Sequence, residues 1–183
     1  MSAKKKICLM ITKKLNEIVN QYYLSGRLDE DFIMDAVKHT LGGEVERSSK
    51  YEDTEKHIDF WWESPKKGKI GIDVKGIKKN KRNDNACDDT IQWLELQNVQ
   101  GKNGWLKGEA DYIAFRTFTN ILFVKREKLL EFALECIKDK DISVGRNPNE
   151  CYVPYQRYGR KDLIVKVKTT DLEKLSDFCI DCE

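Results

Sequence analysis

Apolar residues recur first at a helical and then at a strand spacing. Ile7, Ile11, Leu15, Ile18 and Tyr22 fall three or four positions apart, which predicts a helix over Lys6–Tyr23 with Gly26 as its stop. A second helix is predicted over Asp29–Thr40, with Phe32, Ile33, Ala36 and Val37 inward and Gly42-Gly43 ending it. The period then changes to two. Glu44–Arg47 reads as a short strand, His57–Trp62 as a stronger one, and Lys69–Ile77 as a third. In the third, Ile70, Ile72 and Val74 share one face, while Gly71, Asp73 and Lys75 share the other. Ser64-Pro65-Lys66-Lys67-Gly68 reads as the turn between the last two.

The rest of the chain continues the mixture. Lys78–Asp89 is polar and without period, and reads as a loop. Thr90–Val99 alternates, favouring strand over helix, and Gln100–Gly104 is a turn-rich loop. Asp111–Arg116 and Asn120–Val124 read as a hairpin through Thr117-Phe118-Thr119. Lys125–Lys138 reads as a helix with Leu129, Leu130, Phe132, Ala133 and Ile137 inward. Asp139–Asn149 reads as a loop and Val153–Tyr158 as irregular. Asp162–Lys168 reads as a strand, and Thr170–Phe178 as a closing helix with Thr170 as N-cap. This order implies an α+β fold (α/β in a looser sense), a mixed central β-sheet flanked by helices.

Size and composition narrow the class. The 183 residues fit one domain and can bury a core without disulfide or metal staples. At 40% hydrophobic and 35% charged, the chain is globular in composition. No apolar run approaches the roughly 20 residues that span a bilayer, and Lys13 and Lys14 cut short the apolar stretch after Lys4-Lys5-Lys6. A cytoplasmic protein with no membrane partner is the expectation. The six cysteines are irregularly spaced, unlike a secreted disulfide framework. Cys179-Ile180-Asp181-Cys182 would need two more ligands to hold zinc, so reduced thiols on and near a terminal helix are expected.

Candidate chemistry converges on the second and third strands. If they pair as a hairpin, Asp59 meets Asp73 and Lys75 at the sheet edge. Carboxylates hold a hard divalent cation, and an adjacent lysine can orient or deprotonate a water, which suits metal-assisted phosphodiester hydrolysis. The competing reading is a solvated ion-pair ladder across two strands. His57, two residues before Asp59, is either a phosphate or metal contact or a half-buried partner of a neighbour. The net charge of +2 does not by itself announce a polyanion partner. Lys66, Lys67, Lys69, Lys75, Lys78, Lys79, Lys81 and Arg82, however, crowd the segment around the proposed site, and a local basic field attracts a polyanion. Trp105, in a glycine-rich basic loop with Lys102, either stacks on a base or pins the loop to the body. Tyr152–Lys161 interleaves tyrosines with Arg157, Arg160 and Lys161, the mixture that phosphates and bases require; a plain surface loop held by tyrosines is the alternative.

Asp59 followed by Asp73-Val74-Lys75 on the next strand resembles the PD-(D/E)XK nuclease superfamily, which includes restriction endonucleases, Holliday-junction resolvases and phage or repair nucleases. The resemblance covers roughly Asp29–Val124. It implies a restriction-endonuclease-like core of a helix, three strands, a helix and a further strand, here at about 29–124 of one domain spanning 1–183, with a C-terminal strand–helix extension at 150–183. It implies that Asp59, Asp73 and the Val74 carbonyl hold Mg²⁺ or Mn²⁺ and that Lys75 assists the attacking water. It further implies an acid on or just after the first helix, Glu44 first and Glu30 second, and a Glu or Gln after the Asp73 strand, Glu95 or Gln97. Ile58 stands where many members have proline, and no helix is evident after the Asp73 strand.

The expected activity is therefore that of a metal-dependent endonuclease. Nucleic acid is the partner, DNA favoured over RNA, with Lys78, Lys79, Lys102, Trp105, Arg157, Arg160 and Lys161 on the binding surface and a homodimer as one assembly. The alternatives are a non-catalytic nucleic-acid-binding domain using the same basic surface and a protein-interaction domain.

Overall fold

The change from helical to strand period at Gly42-Gly43 is where the chain reverses. In the computed structural model of the chain, which describes residues 26–79, 87–145 and 150–182, helix α1 (26–41) ends on two glycines with φ of 71° and 88°. Both take the left-handed conformation that glycine adopts without strain. A Cβ on Gly43 would lie 2.1 Å from the Glu63 carbonyl oxygen, so only glycine lets the chain cross the next hairpin there. The helix expected over Lys6–Tyr23 lies outside the described residues.

Strands β1 (Glu44–Arg47), β2 (Phe60–Ser64) and β3 (Gly68–Lys75) form an antiparallel meander. The chain then leaves the sheet through β4 (Lys78–Lys79), β5 (Cys87–Asp88), β6 (Ile91–Gln97) and a 3₁₀ turn, Trp105–Lys107. It returns as β7 (Tyr112–Arg116), parallel to β3, and continues antiparallel as β8 (Asn120–Lys125). After α2 (Arg126–Ile137) come β9 (Ser143–Gly145), β10 (Pro154–Arg157), β11 (Leu163–Lys168), α3 (Thr169–Leu175) and β12 (Phe178–Asp181). One mixed sheet runs β1-β2-β3-β7-β8-β12 and a second runs β6-β11-β10-β9. The α+β class is as the alternation predicts.

Two cores sandwich the six-stranded sheet. On one face Phe60, Ile70, Ile72, Ala114, Ile121 and Phe123 pack under Ile33 and Val37 of α1. On the other, Ile113, Phe115, Leu122 and Val124 meet Leu94, Leu96, Val165 and Val167 of the second sheet, with Leu129, Ala133 and Leu172 of α2 and α3. Strands β3 and β7 are thus covered on both sides, as expected where strands run parallel.

Several expectations need correction. The 78–89 stretch carries the β4–β5 ladder, while its residues 80–86 lie outside the described set. The loop expected over Asp139–Asn149 and the irregular Val153–Tyr158 contribute β9 and β10, which pair parallel with each other. The closing helix stops at Leu175, and its N-cap is Lys168, not Thr170. The backbone N–H of Asp177 then donates to the Phe123 carbonyl, and Phe178 stacks on Phe123 at 4.5 Å between ring centroids, so the chain end becomes strand β12 beside β8. Pairing the exposed edge of β8 satisfies backbone groups that another helical turn would leave uncovered. Cys179 and Cys182 therefore lie on and just past a strand, not a helix, and the 150–182 segment is woven into both sheets. Phe32, expected inward, is 38% exposed, with the Arg116 guanidinium 4.1 Å above its ring.

The buried face of β12 supplies a test. Ile180→Ala is expected to destabilise the protein by about 2–4 kcal/mol in urea unfolding. Cys179→Ala, whose side chain is exposed, should change stability by about 0.5 kcal/mol or less. Equal effects would argue against this strand's place in the sheet.

Candidate active site

The β2–β3 register sets the geometry. Phe60 pairs with Ile72 and Trp61 with Gly71, so continuing by one pair sets Asp59 across from Asp73. The Asp59 carboxylate accepts the Val74 backbone N–H at 2.6 Å, while the Asp59 N–H donates to the Ile72 carbonyl at 2.8 Å. One side-chain oxygen thus takes a place in the ladder and draws the Asp59 carboxyl toward β3.

Asp73 points to the face covered by the second sheet and is 3% exposed. Its Oδ1 accepts from Lys75 Nζ at 2.5 Å; its Oδ2 is buried and has no hydrogen-bond partner. Burial pushes the Asp73 carboxyl up to about 8; the Lys75 ammonium opposes this, and the neighbouring Asp59 carboxyl adds to it. The lysine is held from two sides, because its Nζ also lies 4.6 Å from the centroid of the Trp105 ring. Trp105 itself packs edge-to-face on Phe115 at 6.3 Å. Gly104 permits this approach, since a Cβ there would sit 2.4 Å from the Glu95 carbonyl oxygen.

A π-helical turn, Glu52–Lys56, presents the other side of the site. It is tied down by Glu52, whose carboxylate accepts from the Ser49 hydroxyl at 2.8 Å and from Trp61 Nε1 at 3.1 Å. The turn ends on His57 in the left-handed conformation, φ 56°. Non-glycine residues seldom hold such a conformation, and π turns and such residues concentrate at functional sites. Gly108 leaves room for it, since a Cβ there would lie 2.8 Å from the His57 Cβ. Desolvation and then the Lys75 charge push the His57 imidazole down. Asp53, on the same turn, is raised by desolvation and then by the negative charge of Asp59.

Glu30 reaches toward the site from α1. Desolvation raises it most, the Arg47 guanidinium at 2.5 Å opposes that, and Asp59 raises it further. Glu95 on β6 is raised by desolvation, against the pull of Lys75 and Arg157. Asp59, Asp73, Lys75, His57, Glu30, Asp53 and Glu95 thus form one electrostatically linked group. Among the described residues no three His, Cys, Asp or Glu side chains stand close enough together to hold an ion alone.

Other expected residues lie elsewhere. Glu44 is 79% exposed and paired with Lys38 at 3.1 Å, on an edge strand. Gln97, the last residue of β6 and two beyond Glu95, forms a backbone bridge with Asn103. Lys66 and Lys67 in the β2–β3 turn, and Lys69 near the start of β3, lie at the far end of β3 from Lys75. At ~3.3 Å per residue that is roughly 20 Å away. Lys67 and Lys69 there rest on the rings of Tyr112 and Trp61. Lys78 is exposed and within electrostatic reach of Lys75, Asp73 and Glu95. Lys79 pairs with Cys87 through its backbone. Lys102, Arg160 and Lys161 are exposed on the turns after β6 and β10. Arg157 pairs with the fully buried Asp162. Trp105 is half-buried against the core.

Sequence reasoning missed Asp53, because a π turn leaves no apolar period, and missed the seat of Lys75 on Trp105, because the two meet only through tertiary packing. Comparison with family models, curated proteins and solved structures gives no match. No helix among the described residues is long and apolar enough to cross a membrane.

The raised Asp73 has a pH consequence. Its folded pKa lies above the ordinary value of 3.8, so the folded state binds the extra proton between about pH 4 and about pH 8. Its contribution to stability is full below about pH 4 and is lost as pH rises toward 8. In EDTA, wild type is expected to lose stability relative to Asp73→Asn between pH 5 and pH 8, read by urea unfolding at each pH. Parallel profiles would refute this.

Proposed function

We propose that this protein is a metal-dependent endonuclease of the PD-(D/E)XK kind. It hydrolyses phosphodiester bonds with Mg²⁺ or Mn²⁺, and DNA is favoured over RNA by family analogy. One observation carries the reading: the buried carboxyl of Asp73 adjoins that of Asp59, its Oδ2 meets no N–H donor, and Lys75 holds the other oxygen. A buried acceptor left alone is costly, and a cation satisfies it. Two carboxylates suit Mg²⁺, which keeps waters and takes substrate phosphate as further ligands; zinc would want a fuller nitrogen or sulfur set.

The topology agrees with a restriction-endonuclease-like core. A helix precedes three antiparallel strands, and the next strand of the sheet returns parallel to the Asp73 strand. The departure is the crossover, where β6 and a 3₁₀ turn stand in place of a helix.

Asp59 and Asp73 would hold the cation, with the Val74 carbonyl as a further oxygen. When bound, the cation lowers the pKa of a water and offsets charge on the reacting phosphate. Asp73 must lose its proton before it can act as a ligand. Lys75 keeps one N–H on Asp73 and has two more donors for the attacking water or a phosphate oxygen. Trp105 holds that ammonium over its ring and excludes water from one side. Glu30, Asp53, His57 and Glu95 lie within electrostatic reach of Asp59 or Lys75.

The short Asp73–Lys75 pair favours a second reading, a nucleic-acid-binding domain whose acid and base satisfy each other. A nicking assay with Mg²⁺ or Mn²⁺ separates the two. Wild type is expected to cut, and EDTA to stop it. Asp73→Asn and Lys75→Met should each lose about 10²-fold or more in rate, whereas Glu44→Ala should cut like wild type. Binding without cleavage in either metal would leave only the second reading. The seat of Lys75 predicts in turn that Trp105→Leu lowers turnover by about tenfold with KM unchanged, and that Trp105→Phe keeps most of it. Loss in KM alone would mean that Trp105 serves substrate binding instead.

A further inference from the structure

The Tyr152–Lys161 segment has three tyrosines, and the fold gives them different tasks. Tyr152 donates its hydroxyl to Asp171. Tyr155 is fully buried against Trp93. Tyr158 is 87% exposed.

That exposure is built into the turn. The Arg160 N–H donates to the Arg157 carbonyl at 3.0 Å, and Gly159 has φ 70°. Tyr158 is not left-handed, so the four residues form a type II turn with glycine at its third position and Tyr158 at the projecting corner. The base of the turn is rigid. Buried Asp162 takes the Arg157 guanidinium and also accepts the Arg157 backbone N–H at 3.1 Å.

A second turn lies against the first. The Lys161 N–H donates to the Val99 carbonyl at 3.3 Å, and Gly101 packs on the Lys161 side chain. Asn98 Oδ1 accepts the N–H groups of Gln100 and Lys102, which fixes that turn in shape. Neither 156–161 nor 97–107 contains an Asp or Glu, so Lys102, Arg160 and Lys161 make a cationic rim around one projecting ring. At the base of the turn, Arg157 lies within electrostatic reach of Glu95, as Lys75 does.

We propose that Tyr158 is a stacking platform for an unpaired base, so that the substrate of the nuclease is a strand with a single-stranded segment; this rests on the reading of the site given above. The rim cations attract the phosphates of any nucleic acid. Stacking on an aromatic ring needs a free base face, which a duplex hides inside its own stack and an unpaired nucleotide presents at no cost. A ring held out on a rigid turn loses little freedom on binding.

The test is equilibrium binding in EDTA, where no cleavage occurs, by fluorescence anisotropy. The probes are a labelled dT 12-mer, a labelled U 12-mer and a 12-base-pair DNA duplex. Wild type should bind at least one single strand more tightly than the duplex. Tyr158→Ala should weaken that single strand by about tenfold and leave the duplex unchanged, while Tyr158→Phe should bind as wild type does. Arg160→Ala with Lys161→Ala should weaken all probes and flatten the salt dependence. Which strand binds better tells DNA from RNA. The proposal is overturned if Tyr158→Ala binds single strands like wild type, if it weakens the duplex equally, or if Tyr158→Phe loses as much. Nicking activity is scored separately: its absence with these binding results intact would remove the hydrolase reading and leave the platform standing.

Discussion

Burial of the Asp73 carboxyl is the constraint on which the rest of the candidate site depends. A carboxylate inside a sheet covered on both faces must be neutral, paired or bound to a cation. Here its surroundings are divided: Lys75 meets one oxygen, Asp59 crowds it with like charge, and the second oxygen has no donor. The arrangement favours the protonated form of the acid, chiefly through burial. The parallel pairing of β3 with β7 creates this environment, because it places Ile113 beside Asp73 and brings the second sheet down over both.

The surroundings of this carboxyl are set mostly by backbone devices. The side chain of Asp59 takes a place in the strand ladder, which aims one oxygen at β3. A π turn ending on a left-handed His57 brings His57 and Asp53 up to the same edge. Gly104 and Gly108 leave out the Cβ atoms that would push Trp105 and His57 away. Each device places a side chain by shaping the main chain, which is stiffer than a long rotamer and suits a site whose groups must stay within hydrogen-bond reach.

Charge is mixed along the six-stranded sheet, whose strands carry Glu44, Glu46, Glu63, Asp73 and Asp181 against Arg47, Lys69, Lys75, Arg116 and Lys125. Beside that sheet Glu30, Asp53, Asp59 and Asp73 gather at the candidate site, against Arg47 and Lys75. The exposed cations of the turns after β6 and β10 belong to the four-stranded one. A net charge of +2 conceals such local groupings.

Much of this was legible in the chain itself. Period-two alternation places Asp73 and Lys75 on one face of β3, and a helical period places Ile33 and Val37 under the sheet. These are properties of local backbone geometry, so the order of residues alone determines them, and the Asp59, Asp73 and Lys75 set follows from it. What the sequence could not decide depends on contacts between distant segments. The lysines of the β2–β3 turn look close to Lys75 along the chain yet sit at the other end of a fully extended strand. Thr170–Phe178 reads as helix by pattern, but the helix stops at Leu175 and the chain becomes strand from Phe178 because the edge of β8 offers hydrogen bonds. Trp105, equally a base stacker or a loop anchor in the sequence, becomes the seat of Lys75 because packing brings together residues thirty positions apart. Local periodicity sets which face a side chain takes; only the folded whole sets which neighbour it meets there, since burial and pairing are settled by segments that the chain brings back from afar.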